Sequence, residues 1–162
     1  MAYKLDLTII FKDHIKTLVN DNTGKPDIRD WIIFVIFPII LPVILIYFKI
    51  FIEKDFVAGI LGGLSIYVGL SLNLIVLLFE SLQKESNSSF KKEFAKELIA
   101  NVCFSIVLSI ITIITALFTL LNHGWVLKYI TNWLCFYCLT HMLLIILMLV
   151  KRMYYQLLDQ IN

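Results

Sequence analysis

Long apolar stretches without a single charged residue alternate with short charged ones along most of this chain. The uncharged stretches are residues 31–48, 56–79, 98–127 and 129–150. A helix needs about 20 mainly apolar residues to cross the hydrocarbon core of a bilayer. The pattern therefore predicts an all-α membrane protein with four transmembrane helices, at about residues 31–50, 56–79, 98–121 and 129–150.

The N-terminal segment, residues 1–27, is more polar and has two competing periodicities. Four apolar residues share one helical face: Leu7, Phe11, Ile15 and Leu18. Four alternate as in a strand: Leu5, Leu7, Ile9 and Phe11. The helical register continues to Val19 and favours an amphipathic helix on the cytoplasmic leaflet, with the strand as the alternative. Turn formers in "NDNTGKPD" then separate this segment from a transmembrane domain over residues 28–162, with Asp27 as the cap of its first helix.

Two prolines lie four residues apart inside the first predicted span, at Pro38 and Pro42. Each lacks a backbone N–H, and its ring clashes with the preceding turn of an α-helix. We therefore expect a kink near the middle of this span.

The charged segment between the second and third spans, residues 80–97, retains a helical apolar pattern. Leu82 continues the pattern of the second span, and Phe90 and Phe94 precede that of the third. This predicts a helical hairpin that extends into the cytoplasm and turns at "SNSS". Its cations Lys91, Lys92 and Lys96 are expected to dock a cytoplasmic protein partner. A solvated loop with chance periodicity is the alternative.

The composition supports a bilayer location, and the distribution of cations predicts the orientation. Hydrophobic residues make up 60% of the 162 residues and charged residues 16%, which is too apolar for a soluble domain of this size. Of the 14 Lys and Arg residues, 11 lie in the N-terminal segment, the 80–97 segment and the C-terminal tail. The positive-inside rule places these segments, and both termini, on the cytoplasmic side of the membrane. The net charge of +2 and the lack of a basic face with interleaved aromatics argue against direct nucleic-acid binding.

Small residues form a stripe on each of the two middle helices. On the second helix the stripe contains Ala58, Gly62, Ser65 and Gly69 and leads to Asn73, while Gly59 and Gly63 form a GxxxG motif. On the third helix it contains Asn101, Ser105, Ser109, Thr112, Ala116 and Thr119. Helices in lipid associate through close backbone approach and hydrogen bonds. We expect these two stripes to pack together, within one chain or between the chains of a homo-oligomer.

Four polar residues are placed inside the predicted spans: Asn73, Ser105, Ser109 and His141. A polar side chain in a bilayer must find a partner or serve a pathway. One hypothesis is a polar line through the bundle, as in an ion-conducting or membrane-disrupting pore. The other is a set of hydrogen bonds that fix the helix register, each contributing about 0.6 kcal/mol.

The sequence "CFYCLTH" places Cys135 and Cys138 in a CxxC motif on the fourth predicted helix. This motif resembles that of thiol oxidoreductases of the vitamin K epoxide reductase type. Those enzymes relay electrons through a second cysteine pair in the first outer loop, whereas "KIFIEKDF" contains none. Two buried apolar cysteines are the alternative. Without HExxH, GxSxG or a phosphate loop, we predict no enzyme, catalytic residue, metal site or cofactor.

The layout of the whole chain resembles that of a bacterial group. The turn "NDNTGK", the doubly prolyl "FPIILP", the helix "GLSLNLIVLLFE" and the charged segment after it are similar in plan to small four-helix inner-membrane proteins of phage-defence operons, including the membrane subunits of Kiwa systems. The resemblance implies an oligomeric membrane sensor or effector that acts with a cytoplasmic protein in antiviral defence.

Overall fold

The computed structural model describes residues 7–17, 32–84, 89–121 and 124–161, and all regular structure in them is helical. The helices are α1 (Thr8–Lys16), α2 (Phe37–Tyr47), α3 (Lys54–Lys84), α4 (Ser89–Leu120) and α5 (Trp125–Ile161). A π-helical segment, Ile32–Ile36, leads directly into α2. The predicted all-α class is confirmed for this part of the chain.

Three of the helices are long and apolar enough to cross a membrane. Their candidate spans are Lys54–Glu80, Phe94–Leu120 and Trp125–Tyr154, which contain the predicted spans except for Leu121. The apolar helix Ile32–Tyr47, at the place of the first predicted span, is shorter. It falls below the length of about 20 residues that a full crossing requires. A fourth crossing therefore stays a prediction.

The two prolines of the first apolar helix lie on its buried face. Phe34, Pro38 and Pro42 are buried, and α2 packs against α5. Pro38 has no N–H to donate to the carbonyl of Phe34, as an α-helix would require. The backbone over Ile32–Ile36 is π-helical instead and becomes α-helical at Phe37. The structure thus shows a change in hydrogen-bonding pattern at Phe37, and the kink near the middle of the span stays a prediction.

The central helix is α4, which packs against α5, α3 and α1. Two apolar clusters fill the space between α3, α4 and α5. One lies toward the start of α3 and contains Ile52, Val57, Ile60, Leu64, Ala116, Cys135 and Met142. The other lies toward the start of α4 and contains Leu98, Val102, Phe104, Leu108, Cys138, Ile145 and Leu149.

Many polar side chains of the bundle lie inside, and many of its largest apolar side chains lie outside. Asn101, Ser105, Ser109 and Thr112 are each 0% exposed, whereas large aliphatic residues such as Ile66, Leu70 and Leu147 are about two-thirds exposed. A water-soluble protein has the opposite distribution, because apolar surface is driven out of water. Such an exterior fits a lipid solvent, in which buried polar groups must bond to one another.

A tight turn joins α2 to α3. Lys49 follows the end of α2 with φ 59°, in the left-handed region. Its N–H donates to the carbonyl of Ile46 at 2.9 Å, and the N–H of Ile50 donates to that of Leu45 at 2.9 Å. These two bonds form a Schellman motif, which satisfies carbonyls at the helix end. Asn132 of α5 fixes the next residues, since its Oδ1 accepts the N–H of Ile52 at 2.7 Å.

Several predicted features lie outside the described residues. They are the turn before the first span, its cap Asp27, the domain boundary at residue 27 and most of the "SNSS" turn. The arms of the predicted hairpin are described in part. The helix α3 continues past residue 79 to Lys84, and α4 begins at Ser89, before residue 98.

Candidate functional site

The N-terminal helix α1 packs against α4 and directs a histidine into the bundle. His14 is 3% exposed, whereas Leu7, Phe11 and Ile15 of the predicted apolar face are exposed. The helical interpretation of this segment, rather than the strand, is correct over Thr8–Lys16. His14 and Ile10 face the protein, and Phe11 also contacts Phe104 edge-on. The exposed side of α1 carries apolar residues such as Ile9 and Ile15 together with the lysines Lys12 and Lys16. This arrangement suits a helix embedded in a leaflet.

His14, Thr17 and Asn101 form the centre of a buried polar cluster. Nδ1 of His14 lies 2.7 Å from Oδ1 of Asn101 and donates to it. The Thr17 hydroxyl lies 2.9 Å from the same Oδ1 and 2.7 Å from the carbonyl of His14. The His14 ring also stacks on Phe104, with centroids 4.0 Å apart. These contacts join α1 to α4.

Burial lowers the pKa of His14 below its usual value, because desolvation disfavours the imidazolium. The hydrogen bond with Asn101 opposes this shift, and the positive charge of Arg152 adds to it. His14 is therefore neutral near pH 7, with its Nδ1 as the donor to Asn101. A neutral imidazole is the form that the surrounding apolar groups tolerate.

Arg152 connects three helices at the same end of the bundle. One guanidinium nitrogen donates to Oε2 of Glu97 on α4 at 2.6 Å, and the other donates to the carbonyl of Thr17 at 2.6 Å. Thr17 ends α1, where free carbonyls attract a cation. Both charged side chains are only partly exposed, so water screens this pair less than a surface pair. Arg152 thus holds α1, α4 and α5 together.

A second histidine lies next to the first. The ring of His141 on α5 lies 6.1 Å from that of His14 and 5.9 Å from that of Tyr137, measured between centroids. Within the described part of the chain, neither nitrogen of His141, nor Nε2 of His14, has a hydrogen-bond partner. The backbone of Phe34, in the π-helical segment before α2, also faces His141. Buried imidazole nitrogens without a hydrogen-bond partner can accept a proton or bind a small polar molecule.

The polar stripe of α4 is largely satisfied by its own helix. Hydroxyls of Ser105, Ser109, Thr112, Thr115 and Thr119 each donate to a carbonyl three or four residues earlier. Ser105 also pairs with the Tyr67 hydroxyl at 2.7 Å, and Ser109 lies 3.1 Å from Sδ of Met142.

The two cysteines of the CxxC motif pack against the same stripe. Cys135 faces Thr115, and Cys138 faces Thr112. Both thiols are free, and the residues are 0% and 2% exposed. The pair thus fills the space between α4 and α5, with little surface for a reaction partner.

The small-residue stripe of α3 does not pack against that of α4 within the chain. A Cβ added at Gly59, Gly62, Gly63 or Gly69 would meet no atom within 4 Å, and Asn73 on the same helix is exposed. The expectation of an interface between the two stripes is therefore wrong for a single chain. Larger side chains of α3 fill the interior and turn the small ones outward; they include Val57, Ile60 and Leu64.

The structure therefore separates the predicted intramembrane polar residues into two groups. Ser105, Ser109 and His141 face the interior, and Asn73 faces the exterior. They do not form one continuous line. Of the predicted docking cations, Lys91 and Lys92 lie in the first turn of α4, and Lys96 is exposed further along it.

Sequence reasoning missed four residues of the cluster: His14, Thr17, Glu97 and Arg152. The single histidine in the N-terminal segment was a signal for the first. Glu97 and Arg152, at the inner edges of two predicted spans, were a signal for an ion pair at one depth. Within the described residues no three His, Cys, Asp or Glu side chains are grouped to hold a metal ion. Comparison with protein families, curated proteins and solved structures finds no match for this chain.

Proposed function

We propose that this protein is an oligomeric membrane sensor or effector that presents the helical end of its bundle to a cytoplasmic protein. The proposal rests on one observation: the three long helices extend past their apolar spans at only one end of the bundle. At one end of the bundle each helix stops where its apolar span stops: α3 begins at Lys54, α4 ends at Leu120 and α5 begins at Trp125. At the other end each helix extends past its apolar span: α3 continues to Lys84, α4 already begins at Ser89 and α5 continues to Ile161.

The lengths of the helices support a projection from the bilayer. They contain 31, 32 and 37 residues, and at about 1.5 Å per residue they measure about 46, 48 and 55 Å. The hydrocarbon core is about 30 Å thick. The excess carries charged residues of both signs, including Lys91 and Lys92, and Lys96 lies at the start of the α4 span. These three lysines supply a basic group for an acidic partner surface. Arg152 and α1 brace the bundle next to this end.

Self-association is proposed through the outer face of α3. The four glycines allow a second backbone to approach closely, and Asn73 on the same helix would place its amide in lipid. An amide in lipid is costly without a hydrogen-bond partner. In a symmetric dimer each Asn73 meets the other, so that the same residue satisfies both chains.

The proposed setting is the bacterial inner membrane, with both termini in the cytoplasm, and the proposed role is in antiviral defence. The cation distribution supports the orientation. The role in defence rests on the resemblance in layout alone.

A pore is the second candidate function, and the two buried imidazoles favour it. His14 and His141 offer unpaired ring nitrogens at one depth of the bundle. Asn73 lies on the outer face, so a pathway that includes it would have to form between copies. A thiol oxidoreductase receives less support, because thiol exchange needs an accessible sulfur.

Charge reversal tests the docking proposal. In the variant Lys91→Glu/Lys92→Glu/Lys96→Glu, partner recovery in gentle detergent should fall at least tenfold, by loss of attraction to an acidic surface. The matched control is Lys12→Glu/Lys16→Glu/Lys151→Glu, which reverses three exposed cations near the same end of the bundle. Partners are identified by mass spectrometry, and membrane insertion is checked by protease protection. Full partner recovery by the correctly inserted triple variant would refute docking through these lysines.

A further inference from the structure

The end of the bundle opposite to α1 contains a cavity of about 630 Å³. It lies between the α2–α3 turn, the end of α4 and the start of α5. Three lysines line it: Lys49, Lys54 and Lys128. They are the only Lys or Arg residues between positions 31 and 83 and between positions 98 and 150. Among the residues that the structure describes, every Lys or Arg at this end of the bundle therefore lines one space, which we call the lysine cavity.

The walls of the lysine cavity are fixed by specific contacts. The ammonium of Lys128 lies 4.7 Å from the ring centroid of Phe51, a cation–π contact. Asn132 accepts from the N–H of Ile52 and donates to the carbonyl of Lys128, at 2.7 and 2.8 Å. The Schellman motif at Lys49 sets the direction of the chain into the cavity. These contacts preorganise the site and reduce the entropy lost on binding.

The charge of the cavity favours an anion. Glu53 and Asp55 also line it, which leaves an excess of one positive charge. Among the described residues neither carboxylate forms an ion pair with the three lysines; the ion pairs there are Asp13–Lys16 and Glu97–Arg152. The start of α3 at Lys54 adds free backbone N–H groups and the positive end of the helix dipole.

The position of the cavity points to a lipid headgroup. Phe51 packs edge-on against Tyr129, which packs against Trp125, with centroids 5.2 and 6.5 Å apart. Tyr and Trp concentrate where a membrane protein meets the headgroup layer. Exposed apolar side chains beside the cavity, Phe56 and Leu121, offer a surface for acyl chains.

We propose that the lysine cavity binds the phosphate of an anionic phospholipid headgroup. The lysines contact the phosphate, and the two carboxylates accept hydrogen bonds from headgroup hydroxyls. A free phosphate ion shares the anionic chemistry but lacks the acyl chains.

The test uses the full chain in mild detergent and native mass spectrometry. The protein is titrated with dioleoylphosphatidylglycerol, with dioleoylphosphatidylcholine and with inorganic phosphate as a competitor. We expect retention of phosphatidylglycerol over phosphatidylcholine and no displacement by phosphate. In Lys49→Gln/Lys54→Gln/Lys128→Gln, affinity should fall about fivefold for each lysine removed. The matched control Lys12→Gln/Lys16→Gln/Lys151→Gln removes three cations outside the cavity and should bind phosphatidylglycerol as the unaltered chain does.

A second variant keeps the proposal testable if the triple variant does not fold. Glu53→Gln/Asp55→Asn raises the positive excess of the cavity without removing a lysine, and the amide oxygens still accept hydrogen bonds from headgroup hydroxyls, so this variant should retain phosphatidylglycerol several times more strongly. If either variant folds and binds phosphatidylglycerol with the same affinity as the unaltered chain, the proposal is overturned. Displacement of the lipid by inorganic phosphate would overturn it as well, by identifying a free-anion site.

Discussion

The imidazole of His14 and the amide of Asn101, 87 positions apart in the chain, meet inside the bundle with Nδ1 2.7 Å from Oδ1. This contact joins a helix of nine residues to one of 32. An isolated helix shorter than about 12–15 residues is only marginally stable in water. The structure of α1 therefore depends on its attachment to α4, and changes at this contact should be visible in α1 first.

Replacement of the amide should release α1. The variant Asn101→Leu keeps the branched shape of the side chain but leaves Nδ1 of His14 without its partner, at a cost of about 1–3 kcal/mol. We expect faster amide hydrogen exchange over Thr8–Lys16, with little change in the core of α5. The control Lys12→Ala removes an exposed side chain from the same helix. Unchanged protection of α1 in Asn101→Leu would show that the contact does not hold the helix.

The attachment of α1 should weaken at acidic pH. Because burial lowers the pKa of His14 below its usual value of 6.5, the released helix binds a proton at pH values where the docked helix does not. The free energy of docking then falls as the pH drops below about 6.5, and it is constant above that range. Hydrogen exchange of α1, corrected for intrinsic rates, should show this between pH 7.5 and 5.

Variants identify the group responsible for the pH effect. His14→Gln should remove the pH dependence. His141→Gln, at the neighbouring ring, should retain most of it. The reverse result would assign the effect to His141.

The glycine face of α3 should affect association without affecting the fold. Since an added Cβ at Gly62 or Gly69 meets no atom of the chain within 4 Å, leucine at either position should leave the single bundle intact. Between copies it would separate the two backbones and loosen the oligomer. Mass measurement in detergent should show a shift to smaller species, with Leu147→Ala as the exposed control on α5. An unchanged oligomer mass for both leucine variants would exclude the glycine face of α3 as the association interface.

The orientation is testable with reporter fusions. Because 11 of the 14 cations flank one side, fusions after Gln83 and Asn162 should report a cytoplasmic location, and a fusion after His123 a periplasmic one. A periplasmic signal after Gln83 would reverse the proposed topology, including the side on which the partner docks.

The turn after α2 offers a stabilising substitution. A lysine at φ 59° is strained, because its Cβ crowds the backbone, so Lys49→Gly should raise stability by about 0.5–1 kcal/mol. The thermal transition in detergent measures this effect. Phe48, with φ −79°, gains nothing from glycine, and Phe48→Gly should lower stability. A lower transition temperature for Lys49→Gly would show that the lysine side chain contributes more stability than the backbone strain costs.

The sequence predicted the helices well, since their apolar lengths are set by the bilayer, but it predicted their faces poorly. In a membrane both the lipid-facing and the protein-facing sides of a helix can be apolar, so periodicity carries little information on orientation. The polar stripe of α4 was recognised and is buried, whereas its partner on α3 was misassigned. The apolar periodicity of the N-terminal segment carries no information on His14, because the histidine is not one of the apolar residues that define it. Local pattern also could not predict the π-helical segment before Pro38 or the meeting of Arg152 with Thr17, 135 positions away.

The hydroxyls of α4 bond to their own helix, and this has a mechanical consequence. Axial sliding of α4 along α5 would break few hydrogen bonds between these helices. The main resistance would come from side-chain packing and from the Glu97–Arg152 pair near one end. A force applied to the charged end of α4 would therefore move the whole helix, about 48 Å long, along its axis and displace its other end at the lysine cavity.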